Sequence, residues 1–404
     1  MRKSVLVEIT NNCNLRCKHC YNNKYLNNND INEEVFFKNL EILKKEGYNH
    51  IHLLGGEPLM NESVVSYISK LKSMGFTITI NTNATLFNDD FIKNAMPKIQ
   101  QLSFSLDGVT ADKNDEIRNK GTFDRVLENI SKIGKCETEL ILNYVITSSN
   151  YIDMYRIVDI ADELSISIIN LLWFYEVENN SIFSPKDEQY EEIFDELEKL
   201  LLYSNEKNRC INFDLPPKVL EYFFNIGFIE KFINKNSCQC FANDTNIYMN
   251  VKGEIYPCHP FYEKYGFAYE LKSGSYDEYC NSIKSILSND ILDEKSCENC
   301  DFIDKCLKCP IQNKNIKLCN YIEQRCFKIY SDIIKSNCVY LLNDNYKLIF
   351  RNKIIDLNRN KIITLSDEVL SIIETKVFGF EISILCSLEL YGLIKRGIVY
   401  ERLP

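Results

Sequence analysis

An α/β fold followed by a cysteine-rich region is predicted by two features of the chain. Between residue 5 and about 175, short β-branched runs alternate with longer amphipathic stretches, the pattern of parallel βαβ units. Beyond them, ten of the seventeen cysteines crowd between Cys238 and Cys326. These features divide the 404 residues into a barrel-like domain at 1–175, a helical connector at 176–236, a cysteine-rich domain at 237–330 and a small C-terminal α+β module at 331–404.

In chain order, strands are expected at 5–9, 50–54, 76–81, 101–106, 139–146 and 166–173. Helices are expected near 32–46, 61–74, 88–96, 122–134 and 150–164. In the first helix, Val35, Phe36, Leu40 and Leu43 form an apolar stripe. Asn32 followed by Glu33 and Glu34 makes a helix start, and Gly47 a stop. The connector is acidic, with Asp187, Glu188, Glu191, Glu192, Asp195 and Glu196 on a solvated face. The terminal module reads as strands Val339 to Leu342 and Lys347 to Phe350, then two helices.

A net charge of −10 argues against a general nucleic-acid binder, since phosphate binding needs a basic face. No run of 18 or more apolar residues appears, so no membrane span is expected. Met1-Arg2-Lys3-Ser4 leads into a strand rather than a signal-peptide core, so a cytoplasmic location is expected. In a reducing compartment, cysteines in this number read as metal ligands rather than disulfides. With four histidines in the chain, that metal chemistry is thiolate chemistry.

Directly after the first strand stands Cys13-Asn14-Leu15-Arg16-Cys17-Lys18-His19-Cys20. Three cysteines at C-x₃-C-x₂-C spacing can hold three irons of a 4Fe–4S cubane and leave the fourth open. An open iron can be chelated by S-adenosylmethionine (SAM), whose reductive cleavage gives a carbon radical. A zinc site or three structural thiols are the plain alternatives, although zinc wants a fourth ligand and none follows nearby.

The segment resembles the signature of the radical SAM enzymes. That resemblance implies a partial (β/α)6 TIM-like barrel with chemistry at the carboxyl ends of its strands. It also extends to Gly55-Gly56-Glu57-Pro58 after the second strand, which resembles the segment contacting the SAM amino group. Thr82-Asn83-Ala84 after the third strand and Ser103-Phe104-Ser105-Leu106-Asp107-Gly108 after the fourth place polar groups on the same rim. With Arg118 and Gly121-Thr122-Phe123, the last stretch resembles family members that carry a cysteine-rich extension. There, positions matching Ser105 and Arg118 hold the SAM carboxylate, a task suited to a planar guanidinium. The implied cofactor-binding set is His19, Gly55, Gly56, Glu57, Asn83, Ser105, Asp107 and Arg118. His19 is expected to contribute packing and a backbone contact rather than acid–base chemistry.

Downstream, Cys240, Gly253 and Cys258 precede Cys297-x₂-Cys300-x₅-Cys306-x₂-Cys309, with Cys319 and Cys326 beyond. A structural zinc ribbon is the plain reading of paired C-x₂-C, but ten cysteines exceed one zinc. The arrangement resembles the SPASM domain, which carries auxiliary 4Fe–4S clusters. It departs at one spacing, since two residues rather than three separate Cys306 from Cys309, and this puts the ligand role of Cys309 in question. By resemblance, Cys297, Cys300, Cys306 and Cys326 bind one cluster. Cys240, Cys258 and Cys309 bind another, with Cys238 as the fourth ligand and Cys280 or Cys319 as alternatives.

In anaerobic sulfatase-maturating enzymes an Asp base follows the Cys matching Cys258; here it is His259. A histidine can accept a proton near neutral pH, but a structural place beside Pro257 and Pro260 is the preferred expectation. The resemblance implies an oxidoreductase that modifies a peptide by a thioether or carbon–carbon crosslink. Its partners would be a peptide or protein substrate with a leader segment and a one-electron donor such as flavodoxin or ferredoxin. The terminal module vaguely resembles small winged-helix units that hold leaders, and a plain capping domain explains it equally well. Sulfatase-type Cys or Ser oxidation, small-molecule dehydrogenation and a non-catalytic metal scaffold remain as alternatives.

Overall fold

The computed structural model describes residues 3–133, 136–176, 181–228, 245–289, 316–335, 339–342, 346–348, 353–356, 361–366, 369, 384–396 and 398–402. Seven strands run parallel in sequential order: β1 (Lys3–Thr10), β2 (Tyr48–Gly55), β3 (Thr77–Thr82), β4 (Gln101–Ser105), β5 (Glu139–Ile146), β6 (Ile168–Trp173) and β7 (Cys210–Asp214). On the free edge of β1 lies β8 (Asn246–Met249), also parallel, followed by antiparallel β9 (Glu254–Tyr256) and β10 (Tyr269–Glu270). This open, sequentially wound sheet carries the expected α/β architecture. Its helices include α1 (Glu33–Lys45), α2 (Val64–Ser73), α3 (Ala111–Arg118), α4 (Thr122–Ile133), α5 (Ile157–Glu163) and α6 (Tyr190–Glu206).

Strand alternation explains which residues make the core. On β1, Val5, Val7 and Ile9 are fully buried, as are Ile51 and Leu53 on β2 and Ile78 and Ile80 on β3. Against them α1 places Phe36, Leu40 and Leu43, all inaccessible to solvent. Each such side chain contributes roughly 1.5–3 kcal/mol of burial. The helix starts where Asn32 Oδ1 accepts the Val35 amide at 3.0 Å, with Glu33 and Glu34 in the first turn and Lys44 and Lys45 in the last. Both ends suit the helix dipole.

Three expectations shift. The helix expected at 88–96 is present but irregular: a π turn at Phe91–Ala95 runs into a 3-10 turn at Met96–Lys98 that carries Pro97 near its start, where a missing N–H costs least. The stretch 150–164 becomes helical only at Met154, as a 3-10 turn that passes into the α-helix at Ile157, since the Asn150 side chain bonds backbone at Thr147, Asp107 and Val145. The region read as a helical connector contains β7, which pairs with β6.

The described residues fall into two compact units. The first spans 3–214 with 245–289. In it, α8 (His259–Tyr265) and α9 (Tyr276–Asn289) follow the added strands. So 245–289, expected to begin a separate cysteine-rich domain, completes the first sheet. The second unit takes 215–228 and the described residues from 316 onward. Here α7 (Pro217–Asn225) and α10 (Ile316–Lys335) are joined by a Lys218–Glu323 ion pair and by Arg325 Nε donating to Tyr222 Oη at 2.9 Å. A Cβ on Gly392, in the helix Ile384–Lys395, would lie 1.6 Å from the Ile226 carbonyl oxygen, so only glycine permits that approach. Short antiparallel strands occur at Val339–Leu342 with Val399–Arg402, and at Tyr346–Leu348, Lys353–Asp356 and Lys361–Thr364.

Candidate active site

The Cys13–Cys20 loop leaves the carboxyl end of β1 and is held there by backbone. Gly56 N donates to Thr10 O and Glu57 N to Asn12 O, both at 2.8 Å. A Cβ on Gly55 would fall 2.2 Å from Thr10 O, and one on Gly56 would fall 2.3 Å from Asn12 O. The paired glycines are therefore required by the close approach of the cysteine loop itself. Side chains add a second tie: Asn83 Nδ2 donates to Asn14 Oδ1 at 2.9 Å, and Asn14 Nδ2 to Thr85 Oγ1 at 2.8 Å. Asn83 Oδ1 accepts from Thr85, both backbone and hydroxyl. Asn83, expected among cofactor-binding residues, anchors the loop to β3.

Glu57 is 1% exposed. Its carboxylate accepts Thr82 Oγ1 at 2.7 Å, Asn83 N at 2.6 Å and Leu59 N at 3.1 Å. Burial pushes its pKa up to about 6 against those bonds and the pull of Arg118. Asp107 has no exposure at all. It accepts Arg118 Nε and His19 Nε2 (2.9 Å) on one oxygen and Val145 N (2.9 Å) on the other. Burial would raise this carboxyl, but Arg118, His19 and Val145 together hold it well below the ordinary carboxylate range.

Asp107 is enclosed and ties Arg118 and His19 together. The His19 ring, expected to pack, is fixed by that carboxylate. The guanidinium of Arg118 is engaged through Nε alone among the described residues, leaving its terminal nitrogens for an anion. Ser105 stands beside Asn143 at the end of β4.

The cysteines belong to the same centre. The Cys17 thiol lies 3.9 Å from Arg118 O, and Cys13 Sγ accepts Leu15 N at 3.4 Å. Burial pushes the Cys17 and Cys20 thiols up to about 11, Arg118 drawing both back. Cys13 is raised as well, again chiefly by burial. Such thiols give up their protons to a metal rather than to water. Among the described residues, no three His, Cys, Asp or Glu side chains converge as they would around one ion. Soft thiolates on a loop suit iron–sulfur chemistry.

Sequence reasoning passed over several residues that build this rim. Asn114, on α3, accepts Asp107 N at 3.0 Å and donates to Thr122 Oγ1 at 2.9 Å. Asn150 donates to Asp107 O at 3.0 Å. A Cβ on Gly108 would meet Asn114 N at 2.3 Å, which is why glycine follows Asp107. Glu8, on β1, is 5% exposed, and burial pushes its carboxyl up to about 7. An acidic residue inside an apolar strand was the available signal.

His259 opens α8 in an aromatic cluster, 4.7 Å from Tyr21 and 6.0 Å from Tyr25 between ring centroids, with Tyr248 at 6.4 Å. Its Nε2 lies 3.8 Å from Glu263, which also takes Lys24 and the Tyr25 hydroxyl. Burial lowers its pKa to about 4. Cys258 precedes it, half-buried. Cys326 is buried on α10, and Cys319 sits two turns earlier on the same helix. Cys238, Cys240, Cys297, Cys300, Cys306 and Cys309 lie outside the described residues.

Residues 7–161 match the sequence profile of the radical SAM superfamily. Over these residues the chain is similar to radical SAM domains. That family implies a 4Fe–4S cluster and SAM. The probable GTP 3′,8-cyclase of Saccharolobus solfataricus is 23% identical over 259 residues, covering 62% of this chain and 81% of that protein. Among solved structures, SuiB of Streptococcus suis bound to S-adenosylmethionine superposes with a TM-score of 0.61 at 18% identity, over 76% of this chain and 72% of SuiB. SuiB has also been solved bound to the precursor peptide SuiA, with a TM-score of 0.56 at 18% identity over 69% of this chain and 64% of that one. The anSMEcpe enzyme with bound AdoMet and Cp18Cys peptide gives a TM-score of 0.61 at 17% identity, over 83% of this chain and 99% of that one. At these identities the likeness establishes the shared fold. Among the described residues, no helix is long and apolar enough to cross a membrane.

Proposed function

We propose that the protein cleaves SAM reductively and uses the 5′-deoxyadenosyl radical to modify a peptide by a thioether or carbon–carbon crosslink. The observation that carries this is the convergence of the Cys13–Cys20 loop, Gly55–Glu57, Asp107 and Arg118 on the carboxyl ends of β1–β4. Cys13, Cys17 and Cys20 would hold the cluster, which when bound and reduced supplies the electron for SAM cleavage. Arg118, braced by Asp107, would take the SAM carboxylate with Ser105 beside it. The backbone around Gly55–Glu57 would receive the amino group. His19, tied to Asp107, would keep the loop closed over that site.

Auxiliary clusters fit the donor chemistry of the later cysteines. Among the described residues, His259 Nδ1 and the Tyr279 hydroxyl are buried without a hydrogen-bond partner, and both lie near Cys258. A sulfur-rich group there would satisfy them. Cys240, Cys258, Cys309 and Cys238 would hold one auxiliary cluster, and Cys297, Cys300, Cys306 and Cys326 the other. Peptide substrates are favoured because SuiB and anSMEcpe, solved with peptides, share the fold over most of the chain. The cyclase likeness covers a smaller share. Anaerobic incubation with dithionite and SAM should release 5′-deoxyadenosine, and Cys17→Ala should abolish it. GTP should remain unconsumed. Absence of 5′-deoxyadenosine from the reconstituted wild type would refute the assignment, and SAM-dependent loss of GTP would move it to the cyclase class.

A further inference from the structure

We propose that Glu8 is the carboxylate that takes up the substrate's proton in this oxidation, an inference that rests on the peptide-modifying reading above. Strand alternation puts Glu8 on the face of β1 opposite Val5, Val7 and Ile9, one step below Thr10, where the cysteine loop is pinned. It is 5% exposed and makes no hydrogen bond or ion pair among the described residues. Three other described carboxylates close to the cysteine loop are committed. Glu57 accepts three hydrogen bonds, Asp107 holds Arg118 and His19, and Glu263 holds Lys24 and Tyr25. His259 is wedged edge-on between tyrosine rings.

An unpaired carboxyl in such a place costs stability, and an isosteric amide would pack as well. The cost points to chemistry. Tyr21 from the cysteine loop, Tyr248 from β8 and Tyr256 from β9 are the titratable groups that feel its charge. No cation among the described residues offsets it. Burial pushes the carboxyl up to about 7, matched to proton transfer near neutral pH.

The balance closes. A substrate that loses ~2 mass units gives up a hydrogen atom, a proton and an electron. The hydrogen atom passes to the 5′-deoxyadenosyl carbon, forming 5′-deoxyadenosine. The electron would go to a low-potential one-electron acceptor, chemistry that an auxiliary 4Fe–4S cluster held by the later cysteines would supply. The proton passes to Glu8, which goes from carboxylate to carboxylic acid.

Two measurements test this on the full-length holoprotein. Without substrate, difference infrared spectra over roughly pH 5 to 9 should show a protonated carboxyl titrating near 7 that disappears in Glu8→Gln. Persistence of that signal in Glu8→Gln, or its absence from the wild type, overturns the proposal. The second probe is a pool of synthetic peptides tiled over the short reading frames beside the gene. The ratio of oxidised peptide to 5′-deoxyadenosine should fall ~10²–10⁴-fold in Glu8→Gln and recover in part in Glu8→Asp. An unchanged ratio overturns the role of Glu8. Wild type that makes 5′-deoxyadenosine but oxidises no peptide in the pool defeats the peptide reading, and the infrared arm then decides for Glu8 by itself.

Discussion

Asp107 and Glu8 are both buried carboxyl groups on this rim, and their surroundings drive them in opposite directions. Asp107 is met by Arg118, His19 and an amide, and stays ionised. Glu8 meets none of these and is driven toward its neutral form. Because its folded pKa lies above the unfolded value of 4.5, the folded state binds the extra proton. Stability is then lost as pH rises from about 4.5 to about 7. Glu8→Gln should accordingly be more stable than wild type at pH 8, by up to about 3 kcal/mol, with no difference near pH 4. Urea unfolding at the two pH values checks this, and a variant equally stable at both would show that Glu8 is solvated. Arg118→Lys should weaken SAM binding by about tenfold or more, measured by anaerobic calorimetry. Asp107 would draw in the ammonium, and a point charge cannot also span a carboxylate as the guanidinium fork does. Unchanged affinity would place the SAM carboxylate elsewhere.

The glycine pair belongs to the scale of elements, because β2 and the cysteine loop touch backbone to backbone there. Gly56→Ala would drive a Cβ to within 2.3 Å of Asn12 O. It should cost about 1–3 kcal/mol, as overpacking does, and lower the iron bound by the first domain. Normal iron loading with wild-type stability would show that the loop yields at no cost. At this scale the sequence was legible wherever one periodicity ran undisturbed: β5 lies over 139–146 as expected, and α1 and α4 end within a residue of expectation. It was less legible where polar side chains bond to backbone. Asn150 postpones a helix in this way. The polar stretch Ala111–Arg118 shows almost no apolar periodicity, yet it is a helix anchored through Asn114. Likewise β7 and β8 are short, and their neighbours in the sheet, rather than their own pattern, make them strands.

For the whole molecule, the three proposed clusters give a count. Anaerobically reconstituted protein should bind roughly twelve irons, and replacing Cys13, Cys17 and Cys20 together by Ala should remove about a third. Stoichiometric zinc in place of the remaining iron would overturn the auxiliary assignment and return those cysteines to a structural ribbon. The chain by itself determined its α/β class, the six leading strands and the cysteine loop with its partner motifs. Periodicity and ligand spacing are local properties, readable within a few residues. Tertiary structure alone decided that 245–289 completes the first sheet, because strand pairing depends on a partner hundreds of residues away. It alone set Asp107 beneath His19 and Arg118 and left Glu8 without a counter-charge among the described residues. Burial and the distance between charges fix how a carboxyl behaves, and both exist only once β1, β4, β8 and the cysteine loop are in place.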